Sequence, residues 1–121
     1  MNQRIGYARV STDDQNLDLQ RDALRQAGCS TIYEEAASGK SAARPALEQF
    51  RKALRAGDTL VVWRLERLGP SLSDLVQIVA DLEQRGVQFE SLTEKIETGS
   101  AAGKLQFHVF AALAEFERGL I

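Results

Sequence analysis

Ser11 stands two residues after Arg9, at the end of a β-prone run, and further cations recur downstream. Lys40 and Arg44 lie in or beside a polar stretch, and Arg64 and Arg67 follow a second β-prone run, with Glu66 between them. A hydroxyl with several guanidinium groups around it suits a phosphoryl centre. Such a centre needs a nucleophilic oxygen and forked donors for the non-bridging oxygens, with no added negative charge close by. Each residue also has a plainer role: Ser11 as a helix cap, Arg64 and Arg67 as solvated charges, Arg44 as a surface residue before Pro45. Arg9 is harder to explain that way. Strand alternation puts it on the face of Ile5 and Tyr7, and an arginine on a buried face requires a partner.

These residues can meet only if the chain brings the ends of its strands together, and its punctuation says that it does. Arg4 to Val10 reads as a strand that ends at Ser11-Thr12-Asp13-Asp14, small polar residues suited to a turn and a helix cap. Leu17, Leu24 and Ala27 recur at helical spacing, with Gly28 placed as a left-handed cap. Thr31 to Glu34 reads as a short second strand, and 36–43 as a loop centred on Ser38-Gly39-Lys40-Ser41. Pro45 then opens a helix carrying Leu47, Phe50 and Leu54 that stops at Ala56-Gly57-Asp58. Thr59 to Trp63 is an unbroken β-prone run, as expected of a central strand covered on both faces.

Pro70 opens a further helix with Leu72, Leu75, Val76, Val79 and Leu82 as its stripe, Ser71 and Asp74 as a capping pair, and Gly86 at its end. Val87 to Leu92 is a fourth strand. After Thr98-Gly99-Ser100 a last helix carries Leu105, Val109, Leu113, Phe116 and Leu120 along one side. The order βαβαβαβα predicts an α/β fold: a mostly parallel central sheet with helices on both faces, followed by a C-terminal helix. In such a sheet ligands bind beyond the carboxyl ends of the strands, where Arg9, Ser11, Lys40, Arg44, Arg64, Glu66 and Arg67 fall.

Composition sets the outer limits. At 121 residues, 44% hydrophobic and 26% charged, the chain has the size and balance of one globular domain. Fifteen basic against seventeen acidic residues give −2, so bulk charge does not attract nucleic acid and any anion site is local. The cations concentrate early: residues 1–72 carry 11 basic and 9 acidic side chains, residues 73–121 carry 4 and 8. Cys29 is the single cysteine, which excludes an intrachain disulfide or a cysteine cluster and suits a reducing compartment. No apolar run reaches the length of a membrane span or a signal peptide, so a cytoplasmic location is expected. His108 has no second histidine with which to hold a metal. Gly39-Lys40-Ser41 lacks the first glycine of a phosphate loop, since Glu34 stands there, so ATP is not expected, and the chain is read as having no cofactor.

The string from Tyr7-Ala8-Arg9-Val10-Ser11 through Gln15 to Gln20 resembles the opening motif of the serine recombinases, the resolvases and DNA invertases. Three further stretches resemble the same family in order: Ala37-Ser38-Gly39-Lys40 with Arg44-Pro45, Trp63 to Gly69, and Gly103-Lys104-Leu105 leading to Ala111 through Arg118. The last is most similar to the invertase branch. The resemblance implies that Ser11 attacks a DNA phosphodiester to form a 5′-phosphoserine, with Arg9, Arg67 and Arg44 on the phosphate and Gln15, Gln20 and Glu66 in support. It also implies double-stranded DNA as substrate, no metal, and a location at the nucleoid. Residues 1–100 would be the catalytic domain and 101–121 the start of a long dimerisation helix. Pairs would assemble into a synaptic tetramer, and a helix-turn-helix DNA-binding domain is expected to lie outside this chain.

Two positions depart from the family pattern. Glu66 stands where aspartate is usual, and Pro70 where a second catalytic arginine is usual. Loss of an arginine from a phosphoryl centre costs about 10³–10⁵ in rate, which leaves open a cleavage-deficient relative that acts only through subunit association. A flavodoxin- or receiver-like binding module would share the architecture, but a receiver places acidic residues where Arg9, Ser11 and Arg64 stand.

Overall fold

A computed structural model of the chain describes residues 3–10, 17–36, 49, 51–64 and 72–119. Strand β1 is Arg4–Val10, helix α1 Leu17–Gln26, β2 Thr31–Ala36 and β3 Thr59–Val62. Helix α2 is Leu72–Gln84, β4 Gln88–Ser91, β5 Ile96–Glu97 and α3 Ala101–Gly119. Of the helix expected after Pro45, residues 49 and 51–53 are helical, while Pro45, Leu47 and Phe50 lie outside the described residues.

The five strands are ordered β2-β1-β3-β4-β5. The first four pair in parallel, and β5 closes the edge antiparallel to β4. The expected mostly parallel sheet is therefore present, with one addition. Residues 92–95 turn the chain back on itself, with Lys95 at φ 58°, and β5 is only two residues long. Two residues are too few for alternation to register in a sequence.

Strand alternation separates two apolar layers. Ile5, Tyr7, Leu60, Val62 and Phe89 pack on one face with Leu75, Val79 and Leu82 of α2 and Phe107 of α3. Ala8 and Val61 point the other way, toward Leu24 and Leu17 of α1. All four residues of β3 are buried, as its unbroken apolar run predicts. Gly28 takes the expected left-handed cap at φ 90°, letting the Cys29 amide reach back to the Leu24 carbonyl at 3.1 Å.

The sheet is tied at its amino edge, away from the candidate site. Arg4 of β1 donates from Nε to the Ala27 carbonyl at 2.7 Å and from Nη2 to Glu90 at 3.0 Å, joining the turn after α1 to β4 across β3. Toward the carboxyl end of β2, Arg21 grips Glu34 through two bonds of 2.6 and 2.5 Å, pinning α1 against β2. Those bonds hold the Glu34 carboxyl below the usual carboxylate range against the opposing effect of desolvation.

Helix α3 turns Gly103 and Phe107 inward and leaves Leu105, Val109, Leu113 and Phe116 exposed, Leu105 at 68% and Phe116 at 64%. The described part of the stripe read from the sequence thus faces solvent, and Leu120 lies outside the described residues. No helix among the described residues is long and apolar enough to cross a membrane.

Candidate active site at the carboxyl edge of the sheet

Strand order decides where a ligand can lie. The chain adds β2 on one side of β1 and β3 on the other, so the order reverses between β1 and β3. Open α/β sheets bind ligands in the crevice beyond the carboxyl ends at that reversal. The residues at those ends are Arg9 on β1, Glu35 on β2, Trp63 and Arg64 after β3, and Ser91 on β4.

Arg9 is held from behind. On the β3 side, β1 pairs only as far as Tyr7 opposite Val62. Beyond that point the wholly buried Gln20 of α1 stands in for a strand. Its Oε1 accepts from the Arg9 amide at 3.2 Å and its Nε2 donates to the Arg9 carbonyl at 3.0 Å. A glutamine carboxamide has the donor and acceptor of a peptide group, so one side chain fixes both backbone groups of a residue whose ladder has ended. The family resemblance implies that Gln20 is a supporting polar residue; here it acts on the backbone of Arg9 from the core, two residues ahead of Ser11 in sequence.

On the other flank, β2 runs two residues further than its sequence suggests and brings Glu35 opposite Arg9 in parallel register. Glu35 is 7% exposed and accepts a 2.6 Å hydrogen bond from the wholly buried Tyr7 hydroxyl. The pair places a carboxylate on the strand beside Arg9, the kind of partner that an arginine on a buried face requires. Sequence reading missed Glu35 because it ended the strand at Glu34. Taken to Ala36, the rule that selects strand ends would have found it.

Past β3, the Arg64 guanidinium carbon lies over the Trp63 ring, 4.4 Å from its centroid. The Trp63 carbonyl accepts from the Thr93 amide at 2.9 Å, which anchors this turn to the one that follows β4. In that second turn the Ser91 hydroxyl donates a short hydrogen bond to Glu94.

Of the residues singled out in the sequence, Arg9, Gln20 and Arg64 are placed by the structure, all at the ends of β1 and β3 or directly behind them. Ser11, Gln15, Lys40, Arg44, Glu66, Arg67 and Pro70 lie outside the described residues. Cys29 belongs to the opposite edge, just before β2, where burial pushes its thiol up to about 11. It is therefore a protonated, unreactive group at neutral pH. His108 sits exposed on α3, and no group of three or more metal-ligating side chains occurs among the described residues. A polar surface cavity of about 350 Å³ lies by the amino end of β4, lined by Glu83, Gln88, Thr98 and Lys104, away from these strand ends.

Comparison with known proteins identifies the family. The family model described as "Resolvase, N terminal domain" matches residues 4–121. The chain is 56% identical over 117 residues to DNA-invertase hin of Salmonella typhimurium, covering 97% of this chain and 62% of that protein. It is 55% identical to serine recombinase gin of Escherichia phage Mu, covering 97% and 61%. It thus spans about three fifths of the length of these relatives. The solved N-terminal catalytic domain of TP901-1 integrase superposes with a TM-score of 0.80 at 30% identity, over 98% of both chains.

Proposed function

This chain belongs to the resolvase family of serine recombinases, and from that membership we propose that it performs the strand-cleaving and strand-joining chemistry of site-specific DNA recombination. The Ser11 oxygen attacks a backbone phosphorus of double-stranded DNA. The new Ser11 Oγ–P bond replaces the P–O3′ bond, and the departing 3′ oxygen takes up a proton. The product is a 5′-phosphoserine that keeps the phosphodiester's bond energy, so attack by a 3′ hydroxyl rejoins DNA and releases Ser11 with no ATP. Arg9, Arg67 and Arg44 hold the non-bridging oxygens, where forked donors are strongest. Gln15 and Glu66 orient those groups, and Gln20 acts through the Arg9 backbone.

The observation that carries this reading is the pair of hydrogen bonds between the Gln20 carboxamide and the Arg9 backbone. It fixes the end of β1 immediately before the nucleophile, and catalysis at phosphorus depends chiefly on positioned charge.

The remaining roles belong to the same proposal. Residues 1–100 form the catalytic domain, and 101–121 begin a helix whose exposed Leu105, Val109, Leu113 and Phe116 join two subunits. Two such pairs form the synaptic tetramer. The protein works in the cytoplasm, at the nucleoid.

Incubation with supercoiled DNA carrying a recombination site of the invertase relatives, followed by denaturation, yields protein covalently attached to 5′ ends. Ser11→Ala abolishes the adduct. An adduct that persists in Ser11→Ala refutes the assignment. Pro70 favours a second reading, a subunit that associates but cleaves poorly. Pro70→Arg then raises the cleavage rate steeply, whereas rates equal in the two proteins refute it.

A further inference from the structure

We propose that Trp63 and Arg64 form a second phosphate-binding subsite at the carboxyl edge, taking a DNA backbone phosphate beside the one that Ser11 attacks. The proposal rests on the recombinase reading and adds to it a contact made by neither the nucleophile nor Arg9, Arg44 and Arg67, the arginines to which the family resemblance gives a role.

Place is the first argument. β3 is the neighbour of β1 across the reversal in strand order, so the turn after Val62 flanks the crevice on the side opposite Glu35. Neighbouring strands lie about 4.8 Å apart, and a duplex presents one phosphate per strand every ~3.4 Å of its axis. Cations at the ends of β1 and β3 therefore stand on adjacent strands of one edge, on the length scale of neighbouring phosphates in a DNA backbone.

Construction is the second argument. The Trp63 ring is half-buried at the end of a wholly buried strand, and its carbonyl is bonded to Thr93, so it is a fixed platform. Arg64 is an exposed residue whose guanidinium carbon nonetheless sits 4.4 Å from the ring centroid. A guanidinium held on an aromatic face has lost much of its rotamer freedom already, so less is lost when phosphate binds. Stacking leaves its charge intact.

Charge balance is the third. With −2 overall, and 4 basic against 8 acidic side chains in residues 73–121, the chain as a whole does not attract DNA. Contact with a polyanion has to come from cations fixed at one edge, and Arg64 stands at that edge.

Trp63 is the only tryptophan, so its fluorescence reports this subsite without a label. A short fluorescein-labelled duplex of arbitrary sequence is titrated with the chain across a salt series, following duplex anisotropy and Trp63 emission together. Trp63 emission should change in step with anisotropy. Arg64→Gln should reduce the slope of log K against log salt by about 0.9, the loss of one phosphate contact. Arg64→Lys should keep most of that slope, which a merely shielding role on the indole would not require. Duplex binding with Trp63 emission unchanged, an unaltered slope in Arg64→Gln, or no binding at low salt each overturns the proposal. The 5′-adduct assay separates the two ideas. An adduct with an unaltered slope removes the subsite alone, whereas an altered slope with no adduct removes the cleavage chemistry.

Discussion

Replacing Gln20 by methionine removes both hydrogen bonds to Arg9 while keeping the length of the side chain. Gln20 is wholly buried and its bonds to the Arg9 amide and carbonyl measure 3.2 and 3.0 Å. A buried backbone group left unpaired costs about 1–3 kcal/mol. Two groups give about 2–6 kcal/mol, and because Arg9 is only half-buried, water recovers part of this and about 2–4 kcal/mol is expected. With a urea m-value of about 2 kcal/mol/M, the midpoint falls by roughly 1–2 M. Trp63 fluorescence and circular dichroism supply two probes of the transition. Well below the unfolding temperature the variant stays folded, and loss of Arg9 positioning should slow Ser11 adduct formation by about 10²-fold. Packing alone predicts almost no change, since methionine fills nearly the same space. A midpoint that moves by less than about 0.3 M would refute the clamp, whatever the activity does.

Tyr7→Phe leaves the buried Glu35 carboxyl without its 2.6 Å donor and should cost about 1.5–3 kcal/mol in urea unfolding, with near-zero loss showing that the pair does not hold the edge. Gly103→Ala should destabilise by at least about 2 kcal/mol, since a Cβ there would lie 1.5 Å from the Glu97 carbonyl oxygen and must push α3 away from β5; an unchanged melting temperature would show that the helix is seated otherwise. Cys29, with its thiol pushed up from 9.0 to about 11, should react with a disulfide reagent at pH 8 about 10²-fold more slowly in the folded protein than in urea. The sign follows from burial: the folded state favours the neutral thiol, so the stability this contributes is present at neutral pH and declines as pH rises past 9.0 toward 11. Equal rates in the folded and urea-unfolded states would contradict it.

The sheet was legible in the sequence because its signals are long. β1, α1, α2 and α3 each span seven residues or more, and the run Thr59 to Trp63 has the unbroken apolar character of a strand covered on both faces. Parallel order followed from the alternation of strand and helix alone. What escaped was short or depended on partners far along the chain. β5 is two residues long. β2 keeps going through Glu34, Glu35 and Ala36, where two carboxylates in a row read as the end of a strand. It continues because Glu34 is held by Arg21 of α1 and Glu35 by Tyr7 of β1, partners 13 and 28 residues away. The same reason hid the role of Gln20, whose amide matters only because the β1–β3 ladder stops one residue short of Ala8.

These partners bear on how the charges at the carboxyl edge of a domain of net charge −2 are arranged. Glu35, the carboxylate on the strand next to Arg9, receives the Tyr7 hydroxyl and lies 7% exposed inside the sheet. Glu94, in the turn after β4, receives the Ser91 hydroxyl. Both anions are turned toward hydroxyl donors of their own sheet, while Arg64 is exposed on Trp63. Field near a surface depends on which charges stand outermost more than on their sum. Neutralising Glu35 would therefore change the local potential less than removing Arg64 does, even though both changes alter the net charge by one.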